Sequence, residues 1–158
     1  MASSPAAATG PSEEFPKEEY RRPGNRLGLP EDGPASAATW GRRVLALLID
    51  WLIAALITSV ITARPIWDGG PNYGSINTAV FFGTTAILTG LLGCTIGHRI
   101  CGLQVRPVRA GKTFVAPPGL LAGIIRSLLI CLVIPAVVFD RDRRGLHDLA
   151  AKTIVVRR

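Results

Sequence analysis

VLALLIDWLIAALITSVIT, residues 44–62, is a 19-residue apolar run that contains a single charge, Asp50. At about 1.5 Å per helical residue it is long enough to cross the hydrocarbon core of a bilayer. A carboxylate inside such a helix costs about 2.5–3.5 kcal/mol on insertion scales. Asp50 is therefore expected to have a partner or a task.

Two further apolar stretches lie at about 77–96 and 119–139, and the three together hold most of the Leu, Ile and Val. Charges are segregated between them. This is the pattern of a polytopic membrane protein, not of a globule with an aqueous surface. The net charge of +7 comes from Lys and Arg that flank apolar segments, as the positive-inside bias predicts. No aromatic residues interleave with them as on a single-strand-binding surface, so the expected partner is the lipid bilayer and not nucleic acid. Cys94, Cys101 and Cys131 have neither Cys-x-x-Cys spacing nor an even count, and they read as small hydrophobes. The first apolar run begins more than forty residues in, too far for a secretory signal, and reads as an uncleaved anchor.

Residues 1–39 are rich in Ala, Ser, Pro, Gly and Glu, and read as a disordered cytoplasmic tail before a transmembrane domain at 40–158. The first helix spans about 40–62, with Trp40 and Arg42-Arg43 at the interface it enters from. The loop 63–76 is turn-forming, and its Trp67 and Tyr73 suit the opposite interface. The second helix covers about 76–96. Thr85, Thr89, Gly93 and Gly97 recur every four residues and form a ridge of small side chains, which packs on the first helix or on a second copy of the chain.

The stretch 97–119 carries Arg99, Arg106, Arg109 and Lys112 with no acid, so it belongs on the cytoplasmic side. Leu103-Gln104-Val105 and 152–156 both read as short strands, which pair in a two-stranded ribbon at that face. The third apolar stretch, 119–139, contains Arg126 and is kinked or broken by Pro135. Its length favours a crossing. A basic C-terminal tail and the ribbon favour a segment that dips in and returns.

Asp50 lies seven residues beyond Arg43, and Arg126 seven beyond Gly119, each roughly 10 Å into the membrane. Opposite charges at equal depth are expected to pair, here as Asp50 with Arg126. Asp148 is expected to pin the tail to Arg42, Arg43 or Arg99. A relay through Asp148, His147 and Asp50 is the functional alternative. Neither a nucleophile–base pair nor a set of metal ligands stands at useful spacing, so no catalytic, cofactor or metal residue is assigned and an enzyme is not expected.

Arg43-Val-Leu-Ala-Leu-Leu-Ile-Asp50 resembles the opening of the RDD family of membrane proteins, named for one arginine and two aspartates. Gly97, Arg99, Gly102, Leu103 and Val105 resemble its Gly-Arg-Leu-Gly-Leu-x-Val region. Arg144-Gly-Leu-His-Asp148 with 151–156 resembles its closing motif, which makes Asp148 the second aspartate. Arg126 stands where the family often has arginine. The resemblance covers 38–158 and implies an all-α transmembrane architecture in the bacterial inner membrane, multi-pass, with the N-terminus cytoplasmic. It implies no settled activity. Two roles are expected. One is a component of transport or ion exchange, which needs an oligomer, with Gly93 and Gly97 as its contact face. The other is a structural or accessory subunit of a larger membrane complex or of anionic lipid.

Overall fold

The computed structural model of the chain describes residues 24, 27–67, 69–109, 112–132 and 144–158. In order they form α1 (Trp40–Thr62), α2 (Tyr73–Leu92), α3 (Ile96–Ile100), β1 (Leu103–Arg109), β2 (Lys112–Thr113), α4 (Leu120–Cys131), α5 (Leu146–Ala150) and β3 (Thr153–Arg157). Helices α1 and α2 are each long and apolar enough to cross a membrane.

The two long helices are built inside out relative to a soluble bundle. The buried positions of α1 are Arg43, Ala46, Asp50, Ala54, Ala55 and Thr58. Its exposed positions include Leu45, Leu48, Trp51, Leu52, Leu56, Val60 and Ile61. Large apolar side chains outside and small or polar ones inside are what a lipid solvent selects. The antiparallel α1–α2 pair is tied near its far end. Thr58 Oγ1 donates to Asn77 Oδ1 at 3.3 Å, and Tyr73 Oη donates to the Ala55 carbonyl at 3.0 Å.

Helix α2 ends earlier than the sequence suggested. Gly93 takes a left-handed conformation (φ 67°) and its N–H closes the helix on the Thr89 carbonyl. A side chain is strained there, which is why glycine stops the helix. Thr95 then starts α3 as a separate element. The small-residue ridge is accordingly shared between neighbours. Thr85 Oγ1 donates to Ser127 Oγ of α4 at 3.0 Å. Gly97 lies against the backbone of Ala46 in α1, and Gly93 beneath the Val105 carbonyl. Both glycines expected at a contact between copies are thus covered by the chain's own elements.

The sheet has three strands in the order β2-β1-β3, all antiparallel neighbours. The expected ribbon is the β1–β3 pair, with Val105 opposite Val155 and Leu103 opposite Arg157. The third strand comes from a hairpin that pairs Val108 with Thr113. The core at this end contains Leu103, Val105, Ile154, Val155 and Val156, each at most 1% exposed. Val155 packs towards α1 with Ala38, Ala46, Leu103 and Val105. Ile154 and Val156, one residue to either side, face away and pack with Leu27, Leu29 and Ala37. Alternation along β3 thus fills both faces, as its continuous apolar run requires.

That outer layer moves the start of the packed domain. Residues 27–39 belong to the expected disordered tail, yet Leu27, Leu29, Ala37 and Ala38 are buried. Ala35 N–H donates to the Arg157 carbonyl at 2.8 Å, and Ala38 N–H to the Val155 carbonyl at 3.0 Å. The segment covers the free edge of β3, which would otherwise present unpaired N–H and C=O groups.

The sheet bears on the two courses for 119–139. Strand β1 follows α2, and β3 pairs with it, so the chain that leaves this end at Gly119 is back by Arg144. Helix α4 has 12 residues; at about 1.5 Å each, it is much shorter than the bilayer core. The pairing brings the two ends of this stretch to the same sheet. Pro135, the expected breaking point, lies outside the described residues.

Candidate functional site

Three of the sequence-assigned residues converge at the sheet end of the helices. Asp148, fully buried in α5, is the centre. Its Oδ2 accepts from Arg43 Nη1 of α1 at 2.7 Å, and its Oδ1 is ion-paired with Arg126 Nη1 of α4. Arg43 also donates through Nη2 to the Val155 carbonyl of β3 at 3.2 Å. Thr153 Oγ1 lies 3.4 Å from Asp148 Oδ1. One carboxylate thereby fastens α1, α4, α5 and β3 together. Arg43 was one of the expected partners of Asp148.

Asp50 does something else. Its Oδ1 accepts the Gly97 N–H at 2.7 Å, and its Oδ2 accepts from Thr95 Oγ1. It is thus a cap on α3 rather than the counterion of Arg126, and the expected Asp50–Arg126 pair is replaced by Arg126 with Asp148. Equal depth was the wrong guide. Helix α1 packs along α2 and α3, and α4 along α2 and α5, so each charge meets what its own neighbours bring. A carboxylate held by backbone N–H and hydroxyl donors loses less on burial than an isolated one.

Thr95 and His98 belong to this site and were not assigned from the sequence. Thr95 is the N-cap of α3, accepting the His98 N–H at 3.1 Å. His98 Nδ1 lies 2.5 Å from Thr95 Oγ1 and 3.9 Å from Asp50 Oδ2. With the Asp50 carboxylate ionised and accepting from the Thr95 hydroxyl, that hydroxyl in turn accepts from the imidazole. That places the ring hydrogen on Nδ1. Burial, with the nearby Arg126, Arg43 and His147, holds His98 well below the ordinary imidazole range. The available signal was the run Gly93-Cys-Thr95, a helix-ending glycine followed by a capping residue.

Two histidines and two arginines, Arg43, His98, Arg126 and His147, line a cavity of about 50 Å³ with Val44, Leu47 and Ile130. His147 Nε2 is 3.7 Å from Asp148 Oδ1. Arg99 stands apart: it is exposed, with Nη1 4.0 Å from Cys94 Sγ. Asp140, Arg141, Asp142 and Arg143 lie outside the described residues. Among the described residues no cluster of three or more His, Cys, Asp or Glu side chains is placed to hold a metal. An apolar groove of about 460 Å³ runs between Leu48, Trp51, Phe81 and Cys131 and carries no charged group among its described lining residues.

The model of the RDD family matches residues 37–152. The matched span takes in Arg43, Asp50, Arg99, Arg126 and Asp148. Among curated proteins and among solved structures nothing matches the chain.

Proposed function

The chain belongs to the RDD family, and from that premise we propose that it is a multi-pass protein of the bacterial inner membrane with a structural or accessory role. The family and the two apolar helices together point to a membrane protein. The N-terminal segment, the sheet and the basic residues Arg42, Arg99, Arg109, Lys112 and Arg158 gather at one end, and the positive-inside bias assigns that end to the cytoplasm. Exposed Trp40, Ile100, Phe114 and Val115 share that end. Cations beside aromatic and aliphatic side chains suit a surface of anionic headgroups or the acidic face of a larger membrane complex.

The carrying observation is the use of the two aspartates. Asp148 neutralises Arg43 and Arg126, and Asp50 caps α3. Both carboxylates serve the fold, which supports a scaffold over a carrier. The transport reading keeps one supporting observation, the hydrogen-bonded series Asp50, Thr95, His98 beside the cavity that Arg43, Arg126 and His147 help to line. Proton or ion movement along it would need Asp50 to change its charge.

Two measurements test these assignments. For orientation, cysteines 94, 101 and 131 are replaced, and single cysteines are placed at Lys112, Arg158 or Trp67. An impermeant thiol reagent should reach Lys112 and Arg158 from the cytoplasmic side and Trp67 from the opposite side. Opposite-side labelling of Lys112 and Arg158 would overturn the topology. For function, purified protein in liposomes should give no cation or proton flux above protein-free vesicles. Asp50→Asn keeps an oxygen for the Gly97 N–H and should insert and fold with a loss of about 1 kcal/mol. Flux in the parent that vanishes in the folded Asp50→Asn variant would replace the scaffold reading by the ion-exchange one.

A further inference from the structure

We propose that the β1–β2 hairpin is an anchor that grips an anionic phospholipid, with Arg109 and Lys112 on the phosphate and Phe114 among the acyl chains beneath it. This rests on the cytoplasmic placement of the sheet end argued above. Strand alternation sets the direction of these side chains. Leu103 and Val105 pack with Ala46 of α1, so their face of β1 is the one turned to the helices. Successive side chains of a strand alternate between faces. Pro107 and Arg109 therefore share that face, and Val108 takes the other, where it packs with Leu27, Leu29 and Val156. The register sets Lys112 opposite Arg109 and Thr113 opposite Val108, and the Phe114 N–H donates to the Pro107 carbonyl at 3.1 Å. Arg109, Lys112 and Phe114 thus stand on the helix-facing side of the sheet. All three are exposed. They extend beyond the helix that covers Leu103 and Val105, and point towards the plane of the membrane.

The charges call for an anion. Like charges directly opposite in an antiparallel pair are destabilising, and Arg109 and Lys112 are such a pair. Ala110 and Gly111, which join them, carry no charge, and among the described residues neither cation has an ion pair. One phosphate between the two turns a repulsion into two attractions. The apolar neighbours fix the source of that phosphate. Phe114 is 45% exposed and Val115 78%. The chain then runs into α4, whose first residues, Leu120 and Leu121, are 47% and 72% exposed. Cations, an aromatic and aliphatic side chains therefore follow one another towards the bilayer, the usual order across an interface. A free phosphate ion or an acidic protein face would engage the cations and leave Phe114 unused, whereas a phospholipid engages both.

The test uses the full chain in lipid nanodiscs, with cysteines 94, 101 and 131 replaced and a bimane fluorophore on Val115→Cys. Phosphatidylglycerol and phosphatidylcholine with brominated chains are compared as quenchers at equal mole fraction. The expected result is blue-shifted emission and quenching about fivefold stronger by phosphatidylglycerol, the preference that one basic residue near an anionic leaflet confers. Arg109→Gln combined with Lys112→Gln should make the two lipids equal quenchers. In neutral detergent its unfolding midpoint should match or exceed the parent's, because the repulsion is gone. Phe114→Ser should weaken quenching by both lipids and keep the preference. Water-like emission without quenching, or a preference that survives the double charge change, overturns the proposal. So does a soluble polyglutamate peptide that shields the label where neither lipid quenches it, which marks an acidic protein partner instead. The thiol labelling of Lys112 separates the two failures. Cytoplasmic labelling without quenching removes the hairpin anchor alone, and labelling from the opposite side removes the cytoplasmic surface on which it rests.

Discussion

Asp148→Asn is expected to lower stability by about 3–5 kcal/mol, the usual result of removing one side of a buried ionic group. Asparagine preserves the size of the side chain, so the loss is almost purely of charge. Arg43 and Arg126 would then be two buried cations deprived of the anion they share, in contact with the same fully buried residue. The penalty reflects uncompensated charge, so the double variant Asp148→Asn with Arg126→Gln should recover part of it, about 1–3 kcal/mol. Denaturant unfolding in a fixed detergent measures both. A single variant within about 0.5 kcal/mol of the parent would show that the three residues meet without stabilising the fold. In cells the same loss should appear as reduced accumulation, because a change of this size shifts the folded fraction severalfold or more.

Gly97→Ala is expected to be nearly as damaging, for a steric reason. A Cβ at this position would overlap the Ala46 carbonyl oxygen and stand 2.9 Å from Asp50 Cγ. The obstacle is backbone, which cannot swing aside as a flexible side chain does. Helix α3 would have to retreat from α1 and give up the Gly97 N–H bond to Asp50. Overpacking with loss of a charged hydrogen bond amounts to about 3–4 kcal/mol. The companion change Gly83→Ala has nothing within 4 Å of the new carbon and sits inside α2. It should be neutral or stabilising by about 0.5–1 kcal/mol, from helix propensity alone. Two identical substitutions of opposite sign separate close approach from the general cost of altering glycine. Equal effects would dismiss the α1–α3 contact as the cause.

These contacts show what a chain discloses before it is folded. The bounds of α1 were legible, because a lone charge in an apolar run and an aromatic-arginine entry are local signals. So were β1 and β3, through Leu103-Gln104-Val105 before Pro107 and the β-branched run Thr153-Ile-Val-Val156. The link from Arg43 to Asp148 was within reach as one of three partners for a tail aspartate. The partner of Asp50 was not. It depends on α3 breaking from α2 at Gly93 and turning its first N–H groups back onto α1. Equal spacing from two helix entries offered a simpler pairing, but depth says nothing about which helices are neighbours. The buried strap at 27–38 was obscured for a different reason. Leu27 and Leu29 are two apolar residues among Pro, Gly and charges, too few to signal order until β3 supplies the surface they cover. Of the two surfaces open to the small-residue ridge, the first helix is the one that Gly97 meets, at Ala46; a ridge of small residues declares close packing without declaring with what.

Arg43 and the aspartate that neutralises it are 105 residues apart. During synthesis α1 therefore enters the membrane long before its counterion exists, and Arg126 waits as well, though more briefly. The helices can be in place while the charges between them are still open. Only when translation has passed Asp148 and β3 has left the ribosome can the strap, the sheet and the ionic centre close in one step. The final residues of the described chain thus act as a seal on an assembly begun much earlier. A nascent chain stalled short of that point would carry buried cations that a membrane quality-control protease could recognise.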